Sequence, residues 1–88
     1  MAGMLGSDPQ DMAELISKLG TAIDQIQSAM GTLDGKVNSV NWKGPDAERF
    51  KGTQWPQSKQ QLNRVINDLN DVKTLVNRQK SEQERASA

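Results

Sequence analysis

Eighty-eight residues bound the chain to one small domain, and an apolar share of 34% with 3% aromatics is thin for a globular core. Eleven cations balance eleven acids, which disfavours a nucleic-acid surface, and the chain has neither histidine nor cysteine. The usual general base, thiol nucleophile and soft metal ligands are therefore missing, as are disulfides.

Residues 1–7 are small, glycine-rich and unpatterned, and read as a flexible tail. Met1-Ala2-Gly3-Met4-Leu5-Gly6 lacks the basic and apolar blocks of a secretory signal peptide. Asp8-Pro9-Gln10-Asp11 then reads as a helix start. Asp8 can cap free N–H groups, Pro9 suits the first helical position, and Asp11 and Glu14 complement the positive dipole end.

The first helix is predicted over 8–40. Met12, Ile16, Leu19, Ile23, Ile26, Met30, Leu33, Val37 and Val40 alternate steps of four and three without a miss, the seam of helices packed side by side. Leu15, Ala22 and Ala29 lie beside that seam and widen it beyond what one partner helix covers. Gly20, Gly31 and Gly35 interrupt the helix, each at about 1 kcal/mol relative to alanine. A break between Gly31 and Gly35 is the alternative to a continuous helix.

Residues 41–44 form the predicted turn, with Gly44 supplying backbone freedom. Pro45 opens a second helix over 45–79, with Asp46 and Glu48 in its first turn. Ala47, Phe50 and Trp55 come first, and Leu62, Val65, Leu69, Val72 and Val76 then form the apolar stripe, flanked by Ile66 and Leu75. Pro56 would press on the carbonyl of Gly52, so a kink is expected near 52–56. The polar stretch 80–88 reads as a flexible C-terminal tail.

The expected fold is all-α, an antiparallel two-helix hairpin. Residues 1–40 hold two lysines against five acids and residues 41–88 nine cations against six acids, a net −3 and +3 that favour antiparallel pairing. The wide stripe on the first helix predicts that two hairpins dimerise into a four-helix bundle. No apolar run approaches the roughly 18–20 residues that span a bilayer, so no membrane span is expected. Asp68 and Asp71 share a helix face with cations and read as solvated surface, and no glycine-rich phosphate loop precedes a Lys-Ser/Thr pair. No catalytic, cofactor or metal site is predicted, and the chain reads as a protein-binding module.

Trp42 has an ordinary reading, a large ring covering the last apolar layer of a bundle. Its context adds another. Trp42-Lys43-Gly44 falls near the midpoint between two heptad-patterned helices and is followed by Pro45-Asp46-Ala47, Phe50 and Trp55. This combination resembles the WXG100 family, small ESAT-6-like helical hairpins. The resemblance implies antiparallel dimers of one protein or of two related ones. It also implies export, folded and without a cleaved signal, by the type VII (ESX-like) secretion apparatus and its ATPase, from the cytoplasm to the medium or cell surface. Trp42 and Gly44 would then form half of an export signal. The family's other half, Tyr-x-x-x-Asp/Glu after the second helix, has no counterpart: the chain contains no tyrosine, and Arg78 and Lys80 precede Glu82 and Glu84 by four residues. That departure favours a heterodimer whose partner carries the tail signal. Two functions are expected in turn, a dimeric type VII substrate or partner of a larger secreted effector, and an intracellular coiled-coil adaptor with no export role.

Overall fold

A computed structural model describes residues 8–87. Helix α1 spans Pro9–Ser39, α2 spans Pro45–Arg49 and α3 spans Trp55–Ser87, with a five-residue π-helical turn, Phe50–Gln54, joining α2 to α3. The chain folds back once, into an antiparallel rod 64 Å long and 15–17 Å wide. The described residues are helical apart from Asp8 and the turn, so the predicted all-α hairpin is present, with its second arm extending beyond the predicted end at 79. The predicted N-terminal tail, 1–7, lies outside them, as does Ala88.

Helix α1 starts where its capping chemistry places it. Asp8 is extended, and its carboxylate accepts from the Gln10 N–H at 2.8 Å, with Pro9 following at the first helical position. The helix runs unbroken through Gly31 and Gly35, so the apolar register outweighs their flexibility. It ends at Val40, whose N–H donates to the Lys36 carbonyl before the backbone becomes extended.

Side-chain burial draws the actual seam. Met12, Ile23 and Val37 are buried on α1, with Ile16, Leu19, Ile26 and Met30 half-buried, as is Val40 just past its end. Leu33, placed on the seam by its spacing, is exposed, and Asp34 turns inward in its place. A straight helix drifts by about 20° per heptad against a strict 3.5-residue repeat, toward the following residue. Polar partners for Asp34 on the second arm reinforce that drift.

The second arm differs more from its expected stripe. Its inward row is Trp55, Lys59, Leu62, Ile66, Leu69, Lys73, Val76, Lys80 and Gln83, all buried or half-buried. Leu62, Leu69 and Val76 belong to both rows, but Ile66 is 5% exposed whereas Val65 is 44% exposed and Val72 likewise faces solvent. The lysines explain the difference. An apolar count passes over Lys59 and Lys73, yet their methylene stems can lie in a seam while the ammonium groups reach its margin. Lys73 does so beside Gly20, where a Cβ would stand 3.5 Å from its Nζ.

One further expectation is refined and one is corrected. Where a kink is expected near 52–56, the arm carries the π turn Phe50–Gln54, separated from Pro56 by Trp55, whose N–H donates to the Phe50 carbonyl. The predicted C-terminal tail is helix through Ser87. Residues 80–87 contain no glycine or proline, and most of them are good helix formers. Lys80 and Glu84 also pair one turn apart.

Candidate functional site

Trp42 and Gly44, the residues singled out in the turn, lie between Val40 and Pro45 where the chain reverses. Gly44 has φ +116° and ψ 175°, a region essentially reserved for glycine, and it is the only positive φ among the described residues. Its carbonyl accepts from the Glu48 N–H at 3.0 Å and so opens α2. This backbone reversal leaves the Trp42 side chain 43% exposed.

The ring is nevertheless held in place. It lies 5.8 Å from the Phe50 ring, tilted by 45°, a favourable aromatic arrangement. Lys51 Nζ donates to the carbonyls of Val40 at 3.3 Å and Trp42 at 3.2 Å. The lysine therefore supplies a donor and a positive charge where α1 ends. Ala47 is 2% exposed, the most buried residue of the core, and anchors α2 beneath the turn.

Trp55, the third aromatic, belongs to a different group. It is 7% exposed, and its indole Nε1–H donates to Asp34 Oδ1 at 2.8 Å. Lys59 Nζ donates to the same oxygen at 2.8 Å, and its ammonium lies 5.9 Å from the Trp55 ring centroid. The bond from Lys59, then that from Trp55, holds the Asp34 carboxyl below its ordinary value of 3.8, against a smaller opposing effect of burial. Asp34, Lys51 and Lys59 escaped the apolar pattern. A signal for Asp34 was present: it stands four residues after Met30 and three before Val37, both seam positions.

The two long edges of the rod differ in chemistry. Gly20 beside Lys73 and Asp34 beside Lys59 fix the antiparallel register. In such a pair, the residues flanking the inward rows on one side of each helix share an edge. On the first edge lie Gly20, Gln27 and Asp34 of α1 with Asn63, Asn70 and Asn77 of α3. Two open clefts of about 330 and 240 Å³ occupy that edge, the first lined by Ile16, Asn70, Lys73, Thr74 and Asn77 and the second including Gln27, Asp34 and Lys59. On the opposite edge fall Leu15, Ala22 and Ala29 with Val65 and Val72, and next to them Leu33 and Leu75. Leu15, Leu33, Val65, Val72 and Leu75 are all exposed. At the observed register they follow one another along about 27 Å of the rod.

Among the described residues, no group of three or more acidic side chains is placed to hold a metal ion, and no helix is long and apolar enough to cross a membrane. Fold and surface together define an antiparallel helical hairpin with one polar edge, one apolar edge and a tryptophan exposed at its turn. No family model, curated protein or solved structure matches the chain.

Proposed function

We propose that this hairpin is a protein-binding module that pairs, through its apolar edge, with a second copy of itself or a related hairpin to form a four-helix bundle. The observation that carries the proposal is the row of exposed aliphatic side chains from Leu15 to Leu33 and Val65 to Leu75. A contiguous apolar strip rimmed by polar residues is the mark of an interaction surface. The wide stripe on the first helix and the opposite charge of the two halves support an antiparallel partner of the same kind.

The biological setting follows from the likeness to the WXG100 family. The bundle is a substrate of the type VII secretion system, or carries a larger secreted effector, and is presented to the secretion ATPase through Trp42 and Gly44. Exposure of Trp42 over a glycine-specific turn supports that role. With no tyrosine in the sequence, the tail half of the signal would come from the partner, which favours a heterodimer. The same absence favours the second reading, an intracellular coiled-coil adaptor.

Sedimentation equilibrium of the full chain, alone and co-expressed with a neighbouring hairpin protein, tests the pairing. Val72→Asp should abolish association in either case, and a dimer indifferent to that change contradicts the assigned edge. Export is tested separately, by following the protein into the culture medium with and without the secretion ATPase. Trp42→Ala should block export while pairing persists. Unchanged export of a paired Trp42→Ala protein removes the signal role, and a protein that never leaves the cell supports the adaptor.

A further inference from the structure

We infer that the π turn Phe50–Gln54 is a one-residue phase insert that aims the exposed turn tryptophan, coupling its orientation to the polar clasp made by Asp34, Trp55 and Lys59. This inference concerns the hairpin itself and stands independently of the secretion reading.

The inward residues of the second arm step from Ala47 to Lys51, Trp55 and Lys59, three steps of four in succession. Only beyond Lys59 do they settle into alternating threes and fours. Eight residues of regular α-helix turn through about 800°, which would leave Trp55 about 80° away from the face that carries Ala47. Both residues are nonetheless among the most buried in the molecule. A π turn accommodates one additional residue and removes about 100° of that rotation, so the two faces align to within about 20°.

Opposing sets of contacts hold the two ends of the insert. On the turn side, the Phe50 ring packs tilted against Trp42, and Lys51 binds the carbonyls of Val40 and Trp42. On the far side, Trp55 and Lys59 share Asp34, and the seam continues through Ile66. The bond that closes the π turn joins Trp55 to Phe50, one residue from each set. Pro56 follows directly and has no N–H to donate, so the regular helical ladder has less to lose at this point than elsewhere. Gly52 is not there to avoid a clash, since a Cβ on it would meet nothing within 4 Å.

Without the extra residue the two contact sets could not both persist. The lower set is continuous with the whole seam and would be kept. The segment above it would rotate by about 100°, carrying Phe50 and Lys51 away from Trp42. The direction in which Trp42 faces is thus set by the insert as well as by the turn that contains it.

Deletion of Thr53, an exposed residue within the insert, tests this in the full chain. A second variant combines the deletion with Pro56→Ala, so that a straight helix is acceptable at that position. Far-UV circular dichroism reports helicity, and the nuclear Overhauser contacts and indole N–H exchange of each tryptophan report the two contact sets. The wild-type chain should show contacts between the Trp42 and Phe50 rings together with a slowly exchanging Trp55 indole N–H. In a folded deletion variant, Trp55 should keep its protection while the contacts between Trp42 and Phe50 are lost. A folded variant retaining both features overturns the inference, as does a wild-type chain whose Trp55 amide bonds to Lys51 in a regular helical turn. Failure of both variants to fold also overturns it, because the seam below Trp55 is held without the insert.

Discussion

The choice between Ile66 and Val65 as the seam residue can be decided by truncating each. Ile66→Ala removes three carbons from a side chain that is 5% exposed. At about 0.8 kcal/mol per buried carbon the transfer loss is about 2.4 kcal/mol. The cavity left behind adds little in a two-helix seam that can relax, so the total is about 2.5 kcal/mol, near the low end for such changes. For a domain of this size that lowers the thermal midpoint by roughly 10–20 °C. Val65→Ala removes two carbons from a side chain 44% exposed and should cost less than about 1 kcal/mol in the isolated hairpin. Thermal unfolding followed by far-UV circular dichroism, over a hundredfold range of protein concentration, separates the two. The Ile66→Ala loss should persist at every concentration, whereas the Val65→Ala loss should grow as association sets in. Should Val65→Ala be the more damaging change at the lowest concentration, the register read from Ile66 and Lys73 is wrong.

Asp34 makes stability depend on acid. Its folded pKa lies below the unfolded value of 3.8, so its contribution is present above that pH and is lost as pH falls through the folded value. The difference in thermal midpoint between wild type and Asp34→Asn should therefore be largest near neutrality and shrink below pH 4; a constant difference would contradict the ion pair. Gly44→Ala forces a side chain into the +116° conformation and should cost about 1–3 kcal/mol in urea unfolding. Gly31→Ala places a methyl in open space inside a continuous helix and should stabilise by up to about 1 kcal/mol in the same assay. Equal midpoints for those two glycine variants would undermine the assigned turn.

Much of this hairpin is legible in the sequence because its signals are local or periodic. Asp8-Pro9 marks one helix start by capping chemistry, Gly44-Pro45 marks the other, and the four-three apolar rhythm gives most of the α1 seam. The second arm is less legible because its inward row includes lysines. Periodicity weighs side chains by apolarity, so Val65 and Val72 compete successfully with Ile66 and Lys73 on paper. In the structure, Lys59 has Asp34 to bind and Lys73 has the bare face of Gly20 to lie against. Those partners are distant in sequence, and no single-helix pattern contains them. The π turn was visible only as an awkward proline. Its cause, the need to align Ala47 with Trp55, emerges when both arms are considered together.

The exchange of roles between neighbouring valine and lysine on α3 also bears on what the molecule is built for. A hairpin selected only to stand alone would place a lysine at position 72, which faces solvent, and a valine at 73, which faces inward. This chain does the reverse, and Leu15, Leu33, Val65 and Leu75 add to the outward apolar edge. The seam is thereby weakened while a second surface gains the aliphatic groups an associating partner needs. Reversing the pair, Val72→Lys with Lys73→Val, should stabilise the isolated hairpin by about 1 kcal/mol through added seam burial. It should also remove the concentration dependence of unfolding by placing a charge in the apolar edge. A double variant that is more stable and still associates would show that this edge is surface without a partner, and the bundle would have to form elsewhere.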